Sequence, residues 1–390
     1  MFADFIRGEL EALEQQSLLR RLRSVADEQG AVLTVDGQPV LNFSSNNYLG
    51  LANHPKLRAA AKEAIDRYGC GSAASRLISG NMTLHEELER KIALLKGTES
   101  ALVFNSGFQA NTGIIPALVG EADVVFSDAL NHASIIDGCR LARARIAVYP
   151  HADMNALERS LRESAGARRK LIVTESVFSM DGDEAPLRTI VELGERYGAA
   201  VMVDEAHATG IFEPGGAGLV GKLGLNDRVQ IQMGTLGKAL GAFGAFVAGT
   251  RELRAFLINR CRSFIFTTAL PPAVMAMGIA AIDIVNHEPD RRDRLRRNCA
   301  LLRAGLGDLG METGGGPGHI LPVIIGDAAR CMTFSERLLG RGVFAQGIRP
   351  PTVPPGTSRL RITVMATHTP EHLAGALNAF RELADREMED

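Results

Sequence analysis

Cysteine is scarce in this 390-residue sequence and is spread along it without any Cys-x-x-Cys pair. The odd number and wide spacing of the thiols argue against a disulfide framework and against a thiolate zinc site, so we expect no metal centre. A reducing, cytoplasmic environment fits this pattern. The five cysteines are Cys70, Cys139, Cys261, Cys299 and Cys331.

Long apolar runs are also missing. No uninterrupted apolar stretch approaches the ~20 residues that a membrane helix needs, because even 273–285 is interrupted by Asp283. The amino terminus carries acidic residues early and has no basic start before an apolar core, so we expect no signal peptide. The net charge of −2 gives no overall reason to expect binding to nucleic acid or to a membrane.

The composition that remains is that of an ordinary globular protein, with 46% hydrophobic and 23% charged residues. A chain of this length can build a large core and a second, smaller domain. We expect an N-terminal helix and hairpin in residues 1–45, a large domain in 46–270, and a C-terminal α+β domain in 271–390. Within the first segment, 2–26 predicts a helix and Asp36-Gly37 predicts the turn of the hairpin.

Apolar runs alternate with helical patterns through the middle of the chain. This alternation predicts a mostly parallel sheet covered by helices on both faces, which is a three-layer α/β sandwich. In the tail, 314–318 predicts a loop, and apolar strands are predicted near 320–325 and 360–364. The central runs lie near 101–104, 124–126, 146–149, 171–174, 200–203, 229–231 and 243–248.

Lys238 is the first candidate for chemistry, because it follows the apolar run 229–231 and lies among glycines in QMGTLGKALG (232–241). A lysine at the end of a buried strand loses water around its ammonium, so the neutral amine can act as a nucleophile or base, as in Schiff-base chemistry. Thr235 and the glycine amides add donors for an anion such as phosphate. A nucleotide P-loop needs a longer loop and a Ser or Thr where Ala239 stands. A surface lysine after a tight turn explains this stretch alone equally well.

Asp204 ends the apolar run 200–203, and His207 follows three residues later. Open α/β sheets hold their ligands at the carboxyl ends of the strands. A carboxylate there can keep a pyridinium nitrogen protonated, which makes pyridoxal phosphate an electron sink, and His207 could hydrogen-bond the phenolic oxygen of the ring. A metal pair, or an aspartate that caps the next helix, remains the alternative for Asp-x-x-His.

Other motifs are weaker on their own. Ser106-Gly107-Phe108 follows the first strand and begins a helix, whose amides and dipole could hold a phosphate. His132 follows the second strand and could simply cap a helix. The segment 216–221 fits the dinucleotide fingerprint, but a turn precedes it, so we expect no nicotinamide site. The basic run 291–297 is typical of a solvated helix face, with docking of an acidic carrier protein as the alternative.

Together these segments resemble the fold-type I pyridoxal-phosphate enzymes, which share the aspartate aminotransferase fold, and among them the α-oxoamine synthases. The resemblance covers nearly the whole chain and implies pyridoxal 5′-phosphate as the cofactor. The chain departs from the family pattern at Asn47, where an aspartate is common, and at 73–74, where two glycines are common. The resemblance rests on NFSSNNYLG (42–50), SGFQAN (106–111), VFSMDG (177–182), DEAH (204–207), GTLGK (234–238) and IRPPTVP (348–354).

The resemblance also implies residue roles. Lys238 would hold the cofactor and later remove the α-hydrogen of the amino acid, Asp204 would keep the ring nitrogen protonated, and His132 would stack on the ring. Thr267 and Thr268 would reach the phosphate of a neighbouring subunit, which implies a homodimer with shared active sites. The remaining cofactor contacts are Ser106, Gly107, Phe108, Ser179, His207 and Thr235. The substrate contacts are Arg20 for the acyl group, Arg361 for the amino-acid carboxylate, and Asn46, His132 and Thr352.

The activity implied is the decarboxylative condensation of L-alanine with a pimeloyl thioester, pimeloyl-CoA or pimeloyl-ACP, in biotin synthesis. The segment 349–354 favours this member of the family. A glycine-using member, such as 2-amino-3-ketobutyrate CoA ligase or 5-aminolevulinate synthase, is the alternative within the family. A regulatory nucleotide-binding module that uses Gly237-Lys238 is the alternative from another class. Arg20 as part of a solvated helix end, and Arg361 as a surface arginine, stay open on the residues alone.

Overall fold

The structure is a computed structural model that describes residues 1–314, 316 and 318–387. The chain forms two compact units. Unit 1 contains Met1–Gly50, Met180–Asp183 and the described residues from Asp293 onward, and unit 2 contains Leu51–Ser179 and Glu184–Arg292. Gly315 and Pro317, in the loop predicted at 314–318, lie outside the described residues.

Helices and strands are numbered in chain order. The helices are α1 (Phe2–Gln15), α2 (Pro55–Tyr68), α3 (Thr83–Lys96), α4 (Gly107–Leu118), α5 (Ala133–Leu141), α6 (Met154–Glu163), α7 (Leu187–Tyr197), α8 (Leu219–Lys222), α9 (Arg251–Arg260), α10 (Arg262–Ile265), α11 (Pro272–His287), α12 (Asp290–Asp308), α13 (Ala328–Leu339) and α14 (Pro370–Glu387). The strands are β1 (Val32–Val35), β2 (Gln38–Asn42), β3 (Ser100–Phe104), β4 (Val124–Asp128), β5 (Arg145–Tyr149), β6 (Lys170–Glu175), β7 (Ala200–Asp204), β8 (Ile231–Thr235), β9 (Ala245–Gly249), β10 (Ile320–Gly326), β11 (Val343–Phe344), β12 (Gly347–Ile348) and β13 (Ser358–Thr363).

Unit 2 is built around a seven-stranded sheet with the order β3-β9-β8-β7-β6-β4-β5. The pairs among β4 to β8 are parallel, whereas β9 runs antiparallel to both β3 and β8. The expected three-layer α/β fold with a mostly parallel sheet is confirmed. The last parallel strand begins at Ile231 and not at Val229, because the N–H of Val229 still donates to the carbonyl of Leu225 in the preceding turn.

The core of unit 2 explains why these segments form strands. Alternate side chains of β7, β8 and β9, such as Met202, Met233 and Val247, pack with Ile114 of α4 and Ile135 of α5 in one buried cluster. Strands buried on both faces need apolar residues at nearly every position, which is what the sequence supplies. The parallel strands β4, β6, β7 and β8 therefore end at one edge of the sheet, and the polar residues that follow them lie along that edge.

Unit 1 contains two three-stranded sheets, with the orders β1-β2-β11 and β10-β13-β12. The predicted hairpin is confirmed: Val35 pairs with Gln38, and Asp36 and Gly37 both have positive φ, as a two-residue type I′ turn requires. The antiparallel pairs of β13 with β10 and β12 form the sheet of the expected α+β tail.

The N-terminal helix is shorter than predicted. It ends at Gln15 and not near residue 26, because Ser17 takes a positive φ of 58° and the N–H groups of Leu18 and Leu19 both fold back onto the carbonyl of Leu13. No residue of α1 is buried. Helices in proteins are stabilised mainly by packing of an apolar face. The lack of such packing explains why α1 is shorter than the sequence pattern predicted.

The basic run 291–297 is not uniformly solvated. The side chain of Arg292 is only 3% exposed, and it donates to Glu213 at 2.6 Å and to the carbonyl of Val285 at 2.6 Å. The expectation of a solvated face is wrong for this residue, because its charge is compensated inside unit 2. Within the described residues, no helix combines the length and the apolar character that crossing a bilayer would require.

Candidate active site

Lys238 and His207 are in direct contact at the edge of the sheet in unit 2. Lys238 lies three residues beyond β8, His207 lies three residues beyond β7, and the lysine Nζ is 2.8 Å from the histidine Nε2. His207 is only 4% exposed, and Lys238 is partly buried. The two nitrogen atoms can form one hydrogen bond in either of two protonation states. A Lys238 ammonium would donate to an unprotonated Nε2, or a neutral Lys238 amine would accept from Nε2–H.

The carboxylate of Asp204 is buried and accepts two hydrogen bonds. Oδ1 accepts from the backbone N–H of Ala206 at 2.9 Å, and Oδ2 accepts from Nδ2 of Asn111 at 2.9 Å. Hydrogen bonds to an ionised acceptor stabilise the charge. Asp204 therefore caps the turn that leads to His207, and not a helix as the alternative interpretation predicted, since the next helix, α8, begins only at Leu219.

Glu175 is a second buried acid, and it ends the neighbouring strand β6 in register with Asp204. Burial and the charge of Asp204 raise the pKa of Glu175 to about 8, against the opposing effects of Lys238 and the backbone N–H groups of His132 and Ser179. Glu175 therefore keeps its proton at neutral pH. Sequence reasoning missed this residue, although an acid at the end of the apolar run 171–174 was a usable signal.

His132 is the N-cap residue of α5, and its ring is held by the residue two positions later. Nδ1 accepts from the backbone N–H of Ser134 at 3.2 Å and lies 2.8 Å from Ser134 Oγ. Exclusion of water from the ring lowers the pKa of His132, and Lys238 lowers it further, whereas Asp204 opposes the shift. The helix-cap interpretation of His132 is thus confirmed, and it is compatible with a role at the sheet edge.

The N-terminus of α4 offers free amides. Ser106 is the N-cap residue, and its Oγ accepts from the N–H of Gln109 at 3.1 Å. The first N–H groups of a helix have no partner within the helix, so those of Gly107 and Phe108 point to an external acceptor. Asn105, one residue before the cap, donates to Thr267 Oγ1 at 3.2 Å and to the carbonyl of Thr268 at 2.9 Å, which fixes these threonines beside the helix.

Thr235 ends β8 with its hydroxyl already engaged. Its Oγ1 donates to the carbonyl of Gly244 at 2.8 Å and accepts from the N–H of Gly237 at 3.2 Å. The hydroxyl hydrogen that the sequence analysis assigned to an anion therefore holds the loop before β9 in this structure. Ser179, which follows β6, is 7% exposed.

The residues of unit 2 fit pyridoxal phosphate. Its aldehyde needs an amine, its ring nitrogen a carboxylate, and its phosphate a set of N–H donors. Lys238, Asp204 and the N-terminus of α4 supply these three groups from the ends of different elements around the sheet. The buried carboxylate of Asp204 is held in place by hydrogen bonds from Ala206 and Asn111.

Unit 1 brings together two of the predicted substrate-binding residues, Arg361 and Asn46, with Tyr48. Arg361, on β13, is 8% exposed, and its guanidinium donates to Asn46 Oδ1 at 3.2 Å and to the hydroxyl of Tyr48 at 3.4 Å. The Tyr48 hydroxyl in turn donates to Asn46 Oδ1 at 2.8 Å. Burial raises the pKa of Tyr48, and the charge of Arg361 opposes this shift. The arginine is therefore a buried cation and not the surface residue of the alternative interpretation.

Arg20 and Thr352 lie together in unit 1, around a cavity of about 700 Å³ that Leu19, Ile348 and Arg349 also line. Arg20 Nη2 donates to the carbonyl of Pro350 at 3.2 Å. The structure thus brings the predicted site residues together in two sets. One set, in unit 2, comprises Ser106, Gly107, Phe108, His132, Ser179, Asp204, His207, Thr235, Lys238, Thr267 and Thr268, and the other, in unit 1, comprises Arg20, Asn46, Thr352 and Arg361.

Comparison with known proteins gives a consistent result. Residues 38–380 match the family described as aminotransferase class I and II. A protein from Geobacter sulfurreducens named 8-amino-7-oxononanoate synthase is 56% identical, over 97% of this chain and 97% of its own length. A protein of the same name from Symbiobacterium thermophilum is 50% identical over 97% of each chain.

Two solved structures extend the comparison. A serine palmitoyltransferase from S. paucimobilis with bound pyridoxal phosphate and myriocin superposes with a TM-score of 0.93, at 32% identity over 98% of this chain and 97% of that one. An 8-amino-7-oxononanoate synthase from Francisella tularensis superposes with a TM-score of 0.75, at 26% identity over 90% of this chain and 99% of that one.

Proposed function

The chain belongs to the class I and II aminotransferase family and, within it, to the 8-amino-7-oxononanoate synthases, and we propose that it condenses L-alanine with a pimeloyl thioester. The products are 8-amino-7-oxononanoate, carbon dioxide and the free thiol, in a pyridoxal-phosphate-dependent acyl transfer of biotin biosynthesis. The observation that carries this proposal is the grouping of Lys238, His207 and Asp204 at one sheet edge, in a chain 56% identical to a protein of that name.

Lys238 would transfer the protons at the α-carbon of the amino acid. Bound pyridoxal phosphate supplies an electron sink that takes up the electron pair left when a bond to the α-carbon of the amino acid breaks. The Lys238 amine would hold the cofactor, and once alanine is bound the amine would remove the α-hydrogen. His207, at 2.8 Å from Nζ, orients the amine and shares its proton.

Asp204 would hold the proton on the ring nitrogen, since its buried carboxylate is oriented by hydrogen bonds from Ala206 and Asn111. The neutral side chain of Glu175 adds no second negative charge beside it. His132 would contact the ring, and Ser179 and His207 would contact its substituents. The N–H groups of Gly107 and Phe108 and the Ser106 segment would bind the phosphate at the positive end of α4.

Substrate recognition falls to unit 1. Arg361 binds the carboxylate of alanine, for which a planar guanidinium is suited, and Asn46 and Tyr48 hold the guanidinium in place. The cavity beside Arg20 and Thr352 takes the acyl group, because its lining combines apolar side chains with guanidinium groups. Such a lining suits a chain of methylenes that ends in a carboxylate or ester. The acyl carrier is either CoA or an acyl carrier protein.

Serine palmitoyltransferase activity is the first alternative that an experiment must exclude. The serine palmitoyltransferase superposes more closely than the synthase from Francisella tularensis, with a TM-score of 0.93 against 0.75. Sequence identity points the other way, since 56% identity to a synthase exceeds 32% identity to the palmitoyltransferase. Glycine with acetyl-CoA, the substrates of 2-amino-3-ketobutyrate CoA ligase, completes the alternatives.

Thiol release decides among these activities. The purified holoenzyme is supplied with alanine, glycine or serine in all combinations with acetyl, succinyl, palmitoyl and pimeloyl thioesters, the last on CoA and on an acyl carrier protein. We expect alanine with the pimeloyl thioester to give the highest kcat/KM. Preferred turnover of glycine with acetyl-CoA, or of serine with palmitoyl-CoA, would overturn the proposal.

We further propose a cytoplasmic homodimer whose subunits share their active sites. Three aromatic side chains near Thr267, those of Phe108, Phe243 and Phe266, are 50%, 54% and 71% exposed, and exposed aromatic groups of this size are typical of a surface covered by a partner. The five free cysteines support a reducing compartment. Subunit complementation tests the shared sites: mixed dimers of Lys238→Ala with a Thr267→Ala/Thr268→Ala variant should regain activity that neither homodimer has. Absence of any regain in verified mixed dimers would contradict this arrangement.

A further inference from the structure

His132 and Asp204 are connected by two buried residues, Asn111 and Ser134. Asn111 Nδ2 lies 2.9 Å from Asp204 Oδ2 and 2.9 Å from Ser134 Oγ, and Ser134 Oγ lies 2.8 Å from His132 Nδ1. Asn111 and Ser134 are each 1% exposed. The four residues form one unbroken chain of side-chain hydrogen bonds from the carboxylate to the imidazole.

The direction of each hydrogen bond follows from its ends. A carboxylate only accepts, so the Asn111 atom that faces Asp204 is the amide nitrogen, and its two hydrogens go to Asp204 and to Ser134 Oγ. The Asn111 oxygen then has no partner among the described residues. The backbone N–H of Ser134 already points at His132 Nδ1 from 3.2 Å, so that nitrogen carries a lone pair. The Ser134 hydroxyl, which accepts from Asn111, therefore donates its own hydrogen to Nδ1.

Close packing of α4 and α5 makes this chain possible. Asn111 is on α4, Ser134 is on the first turn of α5, and Gly138 lies one turn further along α5. A Cβ atom on Gly138 would come within 2.6 Å of the carbonyl oxygen of Asn111. Glycine at this position lets the two helices approach until Asn111 reaches Ser134 and Asp204 at hydrogen-bonding distance.

We propose that Asn111 and Ser134 are positioning residues that tie His132 to Asp204 and hold its imidazole neutral, with the proton on Nε2. The proposal rests on the proposed function only for the roles of His132 and Asp204. An imidazolium would place N–H on Nδ1 against the N–H of Ser134 and would lose that backbone hydrogen bond, and the Ser134 hydroxyl would have to turn from donor to acceptor. The held tautomer leaves Nε2–H as the donor that His132 offers to a bound ligand.

The charged and titratable groups that face this region act in both directions. Lys238 disfavours an imidazolium at His132, Asp204 favours it, and Glu175 is protonated at neutral pH and faces the backbone N–H of His132. The Cys139 thiol, on the next turn of α5, stays protonated because burial raises its pKa to about 11. Exclusion of water from the ring and the charge of Lys238 lower the pKa of His132, and the two hydrogen bonds to Nδ1 add a geometric preference for the neutral form against the attraction of Asp204.

Nitrogen-15 NMR of holoenzyme labelled only at histidine reads the tautomer directly. The signals of His132 are assigned by their loss in His132→Gln. We expect the parent enzyme to show an unprotonated Nδ1 and a protonated Nε2 at neutral pH. A protonated Nδ1 in the parent would overturn the proposal without any variant.

Variants then test the two positioning residues. In Ser134→Ala and in Asn111→Ala we expect the pKa of His132 to rise by roughly 0.5 to 1 unit, which corresponds to one lost neutral hydrogen bond, and kcat to fall more than KM changes. Ser134→Thr keeps the hydroxyl and should restore the parent titration. The matched control is Thr112→Val on the same helix, since Thr112 bonds only to the Phe108 and Gln109 carbonyls within α4 and should leave the titration unchanged.

A titration of His132 in Ser134→Ala identical to that of the parent would also overturn the proposal. The ring signals do not depend on which thioester is turned over. A failure of the pimeloyl assay with the expected His132 signals would therefore reject the proposed function alone, whereas unexpected signals in an enzyme that turns over alanine and pimeloyl thioester would reject this inference alone.

Discussion

The two units place ionisable groups in contrasting surroundings. In unit 2, Asp204, Glu175 and Lys238 lie at the ends of neighbouring strands, so that acids and a base interact within one polar edge. In unit 1, Arg361 projects from a single antiparallel strand onto the neutral oxygens of Asn46 and Tyr48. The first arrangement suits groups that must exchange protons, and the second suits a cation that must keep its charge and bind an anion.

This difference indicates which unit transfers protons and which unit binds the carboxylate of the substrate. Proton transfer needs groups whose protonation states are set by one another, and these come from several elements that meet at a sheet edge. Carboxylate recognition needs a fixed charge with its geometry held by neutral partners. We therefore expect substitutions in unit 2 to lower kcat and substitutions in unit 1 to raise KM, in that order of severity.

The largest expected effect is that of Lys238→Ala, which should lower kcat by at least about 10⁴-fold, because the residue is both the attachment point and the base. Borohydride treatment of the yellow parent holoenzyme should fix the cofactor on the peptide that contains Lys238, as mass spectrometry can show. Lys222→Ala, which removes a lysine paired with Glu184 near the surface, is the control and should keep parent activity. Recovery of the reduced cofactor on another lysine would contradict the assignment of Lys238 as the attachment point.

Arg361→Ala comes next and should act on alanine alone. Loss of hydrogen bonds to a charged carboxylate should raise the KM for alanine by roughly 10- to 100-fold, with kcat at saturating alanine close to that of the parent. Arg361→Lys, which keeps the charge without the planar fork, should lie between the two. A fall in kcat with an unchanged KM for alanine would contradict the assignment of carboxylate binding to Arg361.

Arg20→Ala and Thr352→Ala should have smaller effects than Arg361→Ala, and these effects should concern the acyl donor and not alanine. We expect the KM for the pimeloyl thioester to rise by about 10-fold, the amount that one or two lost hydrogen bonds explain, while a spectral titration with alanine stays unchanged. Arg7→Ala is the matched control, because Arg7 pairs with Asp4 on α1 and does not line this cavity. Parent-like kinetics with the acyl donor in both variants would remove the acyl group from this cavity.

Glu175→Gln should give the smallest effect on turnover and a clear effect on stability. The pKa of Glu175 rises from 4.5 to about 8, so between these values the folded state holds a proton that the unfolded state releases. The contribution of this group is complete below about pH 4.5 and is lost as the pH rises towards 8. The Tm of the parent should therefore fall more between pH 5 and pH 8 than the Tm of the variant. Parallel curves would contradict the protonated state of Glu175.

The sequence predicted the parts of this site that follow from strand periodicity. Asp204 and Lys238 follow apolar runs of a parallel sheet, and such runs must end at one edge, so their proximity needed no tertiary knowledge. The contact between Lys238 and His207 follows from the same rule, since both lie three residues beyond neighbouring strands.

The remainder depended on packing that no local pattern encodes. The partners of Asn111 and Ser134 follow from the approach of α5 to α4 at Gly138, which is a contact between two helix faces. The hydroxyl of Thr235 bonds to Gly244 because β9 returns antiparallel beside β8, which the alternating pattern did not predict. The end of α1 at Gln15 reflects the absence of any buried residue on that helix.

Exchange of the α-hydrogen of alanine with solvent deuterium, followed by proton NMR without any acyl donor, tests the division between the units most directly. Asp204→Asn and Arg361→Ala holoenzymes are compared with the parent over a range of alanine concentrations. We expect Arg361→Ala to reach nearly the parent exchange rate once alanine saturates, whereas Asp204→Asn should stay slower by about 10²-fold or more at every concentration. Normal exchange in Asp204→Asn, or slow exchange in Arg361→Ala that saturating alanine does not restore, would contradict this division between the units.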